Sequence, residues 1–194
     1  MNIGIFTDCY LPTRNGVSTA IAQVTAELER RGHKVVVFTV AGGAEQQADP
    51  SVQCFPSLPV LSEIDIRLAA VPFRTIARII ERERLELIHT HTEFTLGWAG
   101  RHVARRADLP LVHTLHTLYP LYRHYLRLGR LLPEQAIAGF LKRLLSGYDA
   151  VICPSEKARG YLASFAPHLP TVVIHNGISP ERFGPDRIAA GEWV

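Results

Sequence analysis

Cysteine is scarce in this chain. Cys9, Cys54 and Cys153 are the whole complement in 194 residues, and no two of them form a CxxC pair. An odd, dispersed set excludes a disulfide-built miniprotein and a paired-cysteine zinc or redox motif. It reads as buried thiols in a reducing compartment. Lysine is scarce too, with three Lys among 21 basic residues. No stretch approaches the roughly 18 uninterrupted apolar residues that a spanning helix needs. The phosphate-binding patterns GxGxxG and GxxxxGK[ST] are missing, which lowers nicotinamide and P-loop readings, and no HExxH metal motif occurs. The opening run Met1-Asn2-Ile3-Gly4-Ile5-Phe6 has no basic segment ahead of an apolar core. The expectation is a chain without a secretory leader.

What is present is a globular composition, 47% apolar and 20% charged. It rules out a disordered or collagen-like chain, and the length is most simply one domain with a proper core. The 21 Lys+Arg against 18 Asp+Glu give a net charge of +3. That is low for a nucleic-acid binder, and no RNA-binding motif is visible. The charge is uneven, however. Residues 101–143 carry Arg101, Arg105, Arg106, Arg123, Arg127, Arg130, Lys142 and Arg143 against Asp108 and Glu134, a local +6. Such a surface suits phosphate or anionic lipid, or is simply a solvated helix face.

Strand-like and helix-like segments alternate along the chain. Apolar or β-branched runs at 3–7, 34–40, 52–55, 85–90, 111–115, 150–153 and 171–174 read as strands. Between them, 17–31 reads as a helix with Ile21, Val24 and Leu28 inward and Gly32 as its stop. Further helices are expected over 71–84 (Ile76, Ile79 and Ile80 inward), 96–107, 133–145 and 155–165, the last with Ser155 as N-cap. This βαβ rhythm predicts an α/β fold, a mostly parallel open sheet with helices on both faces. Ligands in such sheets bind beyond the carboxyl ends of the strands.

Three strand ends stand out. The first is followed by Thr7-Asp8-Cys9-Tyr10-Leu11-Pro12-Thr13-Arg14-Asn15-Gly16, a long loop whose glycine opens a helix. A helix N-terminus carries free N–H groups and partial positive charge, and glycine lets an anion approach the backbone. A plain turn glycine fits the same spacing equally well. The fourth strand ends in His89-Thr90-His91-Thr92-Glu93, with both histidines on one face. This set has metal-ligand chemistry without metal-ligand spacing, so a polar rim is the favoured reading and no metal is expected. The fifth ends in His113-Thr114-Leu115-His116-Thr117. His113 lies in an apolar run and reads as a core histidine. His116 falls at the strand end, where imidazole can bind a phosphate or sugar hydroxyl or move a proton. After it, residues 118–130 interleave Tyr with Arg, a mixture suited to a membrane interface, to RNA stacking, or to an ordinary loop over the sheet.

Taken in order, IGIFTDCYLPTRNGVSTAI, LERRGHKVVVFT, LELIHTHTEFTLG, LVHTLHTLY, YDAVICPSEKARGYL and VVIHNGISPERF resemble the N-terminal domain of retaining glycosyltransferases of the GT-B fold, the family 4 group. Within that family the DCYLP…NGVS start and HTLYPLYRHYL look most like enzymes acting on lipids, such as diacylglycerol glucosyltransferases and phosphatidylinositol mannosyltransferases. The resemblance implies a single Rossmann-like, acceptor-binding N-terminal domain over residues 1–175. It implies an interdomain junction over 176–194, with the donor-binding C-terminal domain absent from this chain. Gly16 would then approach the donor diphosphate, and His116 would sit by the transferred sugar as the catalytic residue. Asp8, Tyr10, Arg14, Asn15, Thr92, Glu93, Thr117 and Tyr119 would line the acceptor side. Arg67, Arg74, Arg78, Arg123, Arg127 and Arg130 would face an anionic membrane.

The same resemblance implies no cofactor and no metal. The partners are a nucleotide-sugar donor, UDP- or GDP-linked, a lipid acceptor, and the missing C-terminal domain, with no nucleic acid. The expected location is cytoplasmic, peripheral to the inner face of the membrane. A soluble sugar or small-molecule acceptor, or a non-catalytic binding module, are the alternatives, and the isolated chain is expected to fold without turning over.

Overall fold

A computed structural model describes residues 1–13, 15–41, 49–61, 66–118 and 133–177. The strands are β1 (Asn2–Phe6), β2 (Lys34–Val40), β3 (Val52–Phe55), β4 (Ser57–Leu61), β5 (Ile66–Ala69), β6 (Leu87–Thr90), β7 (Leu111–Thr114), β8 (Ala150–Cys153) and β9 (Thr171–Val173). The helices are α1 (Gly16–Arg30), α2 (Phe73–Glu83), α3 (Thr95–Ala107), α4 (Glu134–Leu145) and α5 (Glu156–Ala163). Seven strands form one parallel sheet in the order β3-β2-β1-β6-β7-β8-β9. The chain winds outward from β1 to β3, returns through α2 to β6 beside β1, and then winds outward the other way. The reversal between β1 and β6 is a topological switch point.

Alternate residues of each strand serve opposite faces of the sheet. Ile3, Ile5, Val35 and Val37 pack with Ile21 of α1 on one side. Phe6, Val36, Phe38 and Val40 join Ile76 and Ile80 of α2, Leu96 and Val103 of α3, Leu145 of α4 and Leu162 of α5 on the other. Phe6 and Phe38 stack with ring centroids 4.2 Å apart. Helices therefore flank both faces as expected, but unequally. Among the described helices, α1 alone serves the first side.

Two expectations are corrected. Val24 is 37% exposed, and the buried residues of α1 are Ser18, Ala20, Ile21 and Thr25. Small and hydroxylated side chains let this helix lie close to the sheet. The sequence reading also passed over the antiparallel hairpin β4–β5. Its first strand contains Pro59, a residue that argues against a strand except at an edge or a bulge. This hairpin is a two-stranded unit whose register shifts just after Pro59.

Candidate active site

The carboxyl ends of β1, β6 and β7 converge at the switch point. Asp8, two residues beyond β1, is buried. Its Oδ1 accepts from the Thr95 hydroxyl at 2.5 Å and from the Leu96 N–H at 3.0 Å, and its Oδ2 accepts from the Thr92 hydroxyl at 2.7 Å. Helix α3 starts at Thr95, and its own N-cap position, Phe94, offers no capping side chain. Asp8 is thus the N-cap of α3, supplied from 88 residues away in sequence. A carboxylate there also meets the positive end of the helix dipole. Burial raises the Asp8 carboxyl above the usual range, against the lowering effect of the Thr95 and Thr92 hydroxyls and the helix N–H groups. Thr95 accepts in turn from the Ala69 N–H at 2.8 Å, which ties the hairpin to the same point.

The α1 N-terminus is capped locally. Asn15 Oδ1 accepts from the N–H groups of Val17 and Ser18, the Ser18 hydroxyl faces back to the Asn15 N–H, and Asn15 Nδ2 donates to Cys9 Sγ at 2.9 Å. This capping box uses Asn15 and leaves Gly16 as the first helical residue. Among the described residues, a Cβ built on Gly16 would meet nothing within 4 Å.

Four histidines gather at the ends of β6 and β7. His89 Nε2 and Thr114 Oγ1 are 2.7 Å apart, and His91 Nδ1 lies 2.9 Å from His116 Nε2. The His89 and His91 rings are 4.0 Å apart, on the one face that strand alternation required. Burial pushes the His89 imidazole down to about 3 and His116 to about 4, with neighbouring His113 adding to both. His91 is held well below its ordinary value by burial and by His89 and His116. All three are neutral near pH 7. His113 lies on the opposite face, fully buried, with Nδ1 2.8 Å from Thr90 Oγ1 and Nε2 3.5 Å from Glu93 Oε1. Among the described residues, no group of three His, Cys, Asp or Glu is arranged to hold a metal ion.

The expected site residues separate on this geometry. His116, Thr117 and Gly16 reach the surface at the strand ends. Asp8, Thr92 and Glu93 are buried and face protein groups, while half-buried Tyr10 packs against the α1-side core. Arg14, Tyr119, Arg123, Arg127, Arg130 and the junction beyond Gly177 lie outside the described residues. Arg101 and Arg105 of the basic segment both donate to the Ser146 carbonyl, at 3.1 and 2.8 Å, and so serve the carboxyl end of α4. Arg67 is spent on Ser57 within the hairpin. Arg74 and Arg78 are exposed on α2. A cavity of about 490 Å³ opens between α2 and α3, lined in part by Phe73, Arg74, His102 and Arg106. Phe73 and Trp98 stand exposed on the same two helices. The sequence reading missed Thr95, Leu96 and Thr114; the signal for the first two was a helix beginning without a cap of its own.

The model of Glycosyltransferase Family 4 matches residues 14–182, so the chain belongs to that family. It is 36% identical over 184 residues, 94% of its length, to alpha-monoglucosyldiacylglycerol synthase of Streptococcus pneumoniae, and covers 42% of that protein. It is 38% identical over 141 residues, 70% of its length, to alpha-monoglucosyldiacylglycerol synthase of Acholeplasma laidlawii, and covers 35% of it. The chain therefore spans well under half the length of these curated relatives. Sucrose-phosphate synthase from Thermosynechococcus elongatus shares the fold with a TM-score of 0.69 at 17% identity, over 98% of this chain and 52% of that one.

Proposed function

We propose that this family 4 chain is the acceptor-binding half of a retaining glycosyltransferase, moving a sugar from a UDP- or GDP-linked donor to a lipid of the diacylglycerol class. The similarity to the two monoglucosyldiacylglycerol synthases carries the reading. The exposed aromatic and basic side chains of α2 and α3 support it. Phe73 and Trp98 offer apolar anchors, and Arg74, Arg78 and Arg106 offer charge to an anionic surface. The chain then works peripherally at the inner, cytoplasmic leaflet. No described helix is long and apolar enough to cross a membrane.

Departure of the nucleoside diphosphate builds negative charge on the leaving oxygen and positive charge on the sugar ring. The Gly16 N–H and the α1 dipole meet the first, in the open space in front of Gly16. His116 stands beside the sugar as a neutral imidazole, free of the charge repulsion that an imidazolium would exert on the developing cation. Asp8, through its hold on α3, and Asn15, through the α1 cap, keep these two strand ends in place. Tyr10 and Thr117 form the acceptor wall. The remaining donor contacts belong to a second domain.

The test is transfer by the two-domain protein from labelled UDP- and GDP-sugars to a panel of diacylglycerol, phosphatidylinositol and soluble sugar acceptors. Product on diacylglycerol that is lost in His116→Ala supports the proposal. Product only on soluble acceptors overturns its lipid part, and full turnover by His116→Ala overturns the site.

A further inference from the structure

We propose that His91 is a positioning residue for His116: its Nδ1–H donates to His116 Nε2 and so fixes the His116 proton on Nδ1. The inference rests on the reading of His116 as the residue beside the sugar, but its core is a statement about protons in the folded chain. The two nitrogens stand 2.9 Å apart, a hydrogen-bond distance that neutral imidazoles satisfy only if one nitrogen carries a proton and the other is bare. The choice of one tautomer therefore dictates the other.

The other nitrogen of His91 decides the direction. Nε2 is buried and has no hydrogen-bond partner among the described residues. A proton there would leave a buried N–H with no acceptor, the rarer defect in folded proteins. A bare Nε2 leaves only an unfilled lone pair. The proton consequently belongs on Nδ1, facing His116. Both rings are set in rigid backbone. The His91 N–H donates to the Phe6 carbonyl at 2.9 Å, and the Leu115 N–H, one residue before His116, donates to the Ile152 carbonyl at 2.9 Å. The His89 ring also lies against the His91 ring, with centroids 4.0 Å apart. With Nε2 held by His91, Nδ1 is the only N–H donor of the His116 ring. His116 then acts toward a ligand as a hydrogen-bond donor of fixed direction, and a sugar hydroxyl or ring oxygen is the acceptor it suits. Holding a ring's second nitrogen to fix its tautomer is the same device that outer-shell partners use on metal-bound histidines.

The experiment is two-bond ¹H–¹⁵N correlation spectroscopy on the uniformly labelled chain at pH 7, with His91→Asn and His91→Leu. Asparagine places an amide N–H near the position of the His91 Nδ1–H; leucine does not. The expected result is a bare-nitrogen shift at His116 Nε2 and a protonated shift at Nδ1 in the native chain and in His91→Asn. In His91→Leu, His116 is expected to become a mixture of tautomers. A protonated Nε2 in the native chain overturns the proposal, as does an unchanged His116 in a folded His91→Leu. If His91→Leu does not fold, the native spectrum and His91→Asn still decide. In the two-domain enzyme, kcat is expected to fall at least about tenfold in His91→Leu with donor KM unchanged, and to recover in His91→Asn. The spectra are independent of the acceptor, so a failure of the lipid reading leaves this result intact.

Discussion

Asp8 and Thr92 bond to each other twice. The Asp8 N–H donates to the Thr92 hydroxyl at 3.0 Å, and that hydroxyl donates to Asp8 Oδ2 at 2.7 Å. The pair stitches the loop after β1 to the loop after β6 across the switch point. The crevice where a ligand would sit is thus held at its base by the same carboxylate that caps α3.

The consequence is a separation of stability from binding. Asp8→Ala would strand the Thr92 and Thr95 hydroxyls and the Leu96 N–H in a buried place, and is expected to cost about 3 kcal/mol of unfolding free energy. Asp8→Asn keeps one accepting oxygen and should cost about half as much. Urea unfolding of the three proteins checks this. An Asp8→Asn that unfolds like the native chain but raises the acceptor KM would return Asp8 to the acceptor wall.

Gly97 sets a second limit at the same junction. A methyl built on it would overlap the Thr92 carbonyl oxygen, a backbone atom that cannot swing aside. Gly97→Ala is expected to destabilise the chain by roughly 1–3 kcal/mol or more. Gly139, exposed on α4, has nothing within 4 Å of its would-be Cβ among the described residues. Gly139→Ala should stabilise by about 0.5–1 kcal/mol. Opposite signs for one substitution in two helices, read as shifts in Tm, test the packing of α3 on the loop after β6.

The parallel sheet and its helices were legible because β-branched runs and helical periodicity alternate cleanly, and most boundaries fall within two residues of expectation. The hairpin was not, because Pro59 interrupts its pattern and its partner strand is only four residues long. At the site, Asp8 and Asn15 stood out as polar residues after a strand. Sequence could not say that both serve as helix caps. Asn15 does so locally, one residue ahead of α1, although the sequence had suggested it only for the acceptor side. Asp8 does so at long range, and only the packing of α3 beside β1 reveals it. The histidine pairing likewise depends on the alignment of β6 with β7, in which Thr90 lies opposite His113.

Acid should loosen the fold through the histidine cluster. The folded-state values of His89 and His116, about 3 and about 4, lie below the ordinary 6.5, and His91 is lowered as well. Between pH 6.5 and those values, the unfolded chain binds protons that the native chain refuses. The stabilising contribution is therefore complete above pH 6.5 and is lost as pH falls through the folded values. His113, across the sheet, adds to the lowering of His89 and His116, while Glu93 in the loop after β6 opposes it at His116. Asp8, with its raised carboxyl, works in the opposite sense and stabilises as pH falls. The slope of unfolding free energy from pH 6 to 5 should approach about 1.4 kcal/mol per pH unit for each of the three histidines. His91→Asn should remove one share. A flat profile from pH 7 to 5 would contradict the buried, neutral cluster.

Membrane contact, if it runs through α2 and α3, should depend on exposed aromatics more than on the fold. Trp98 is 55% exposed, so Trp98→Ser should change stability by no more than about 0.5 kcal/mol. The lost burial of an aromatic ring in the interface should weaken flotation with anionic vesicles by roughly tenfold or more. Arg74→Glu with Arg78→Glu should weaken binding to anionic vesicles and leave neutral ones unaffected. Equal flotation of all variants would remove this face from the proposal.

Gly16 offers the cleanest separation of site from scaffold. It begins α1, its φ is not in the left-handed region, and a Cβ there meets nothing within 4 Å among the described residues. Valine at this position should neither strain the backbone nor crowd a neighbour, and the Asn15 cap on Val17 and Ser18 stays intact. Gly16→Val is therefore expected to fold with a Tm near that of the native chain. In the two-domain enzyme the same branched side chain would occupy the space through which a diphosphate reaches the Gly16 N–H. Transfer should fall by about 10²-fold or more, the scale set by losing one donor to a developing oxyanion. Gly16→Ala, smaller, should fall between. Native-like turnover in Gly16→Val would mean that the donor phosphates lie elsewhere. Lost turnover with unchanged Tm ties the open N-terminus of α1 to the chemistry.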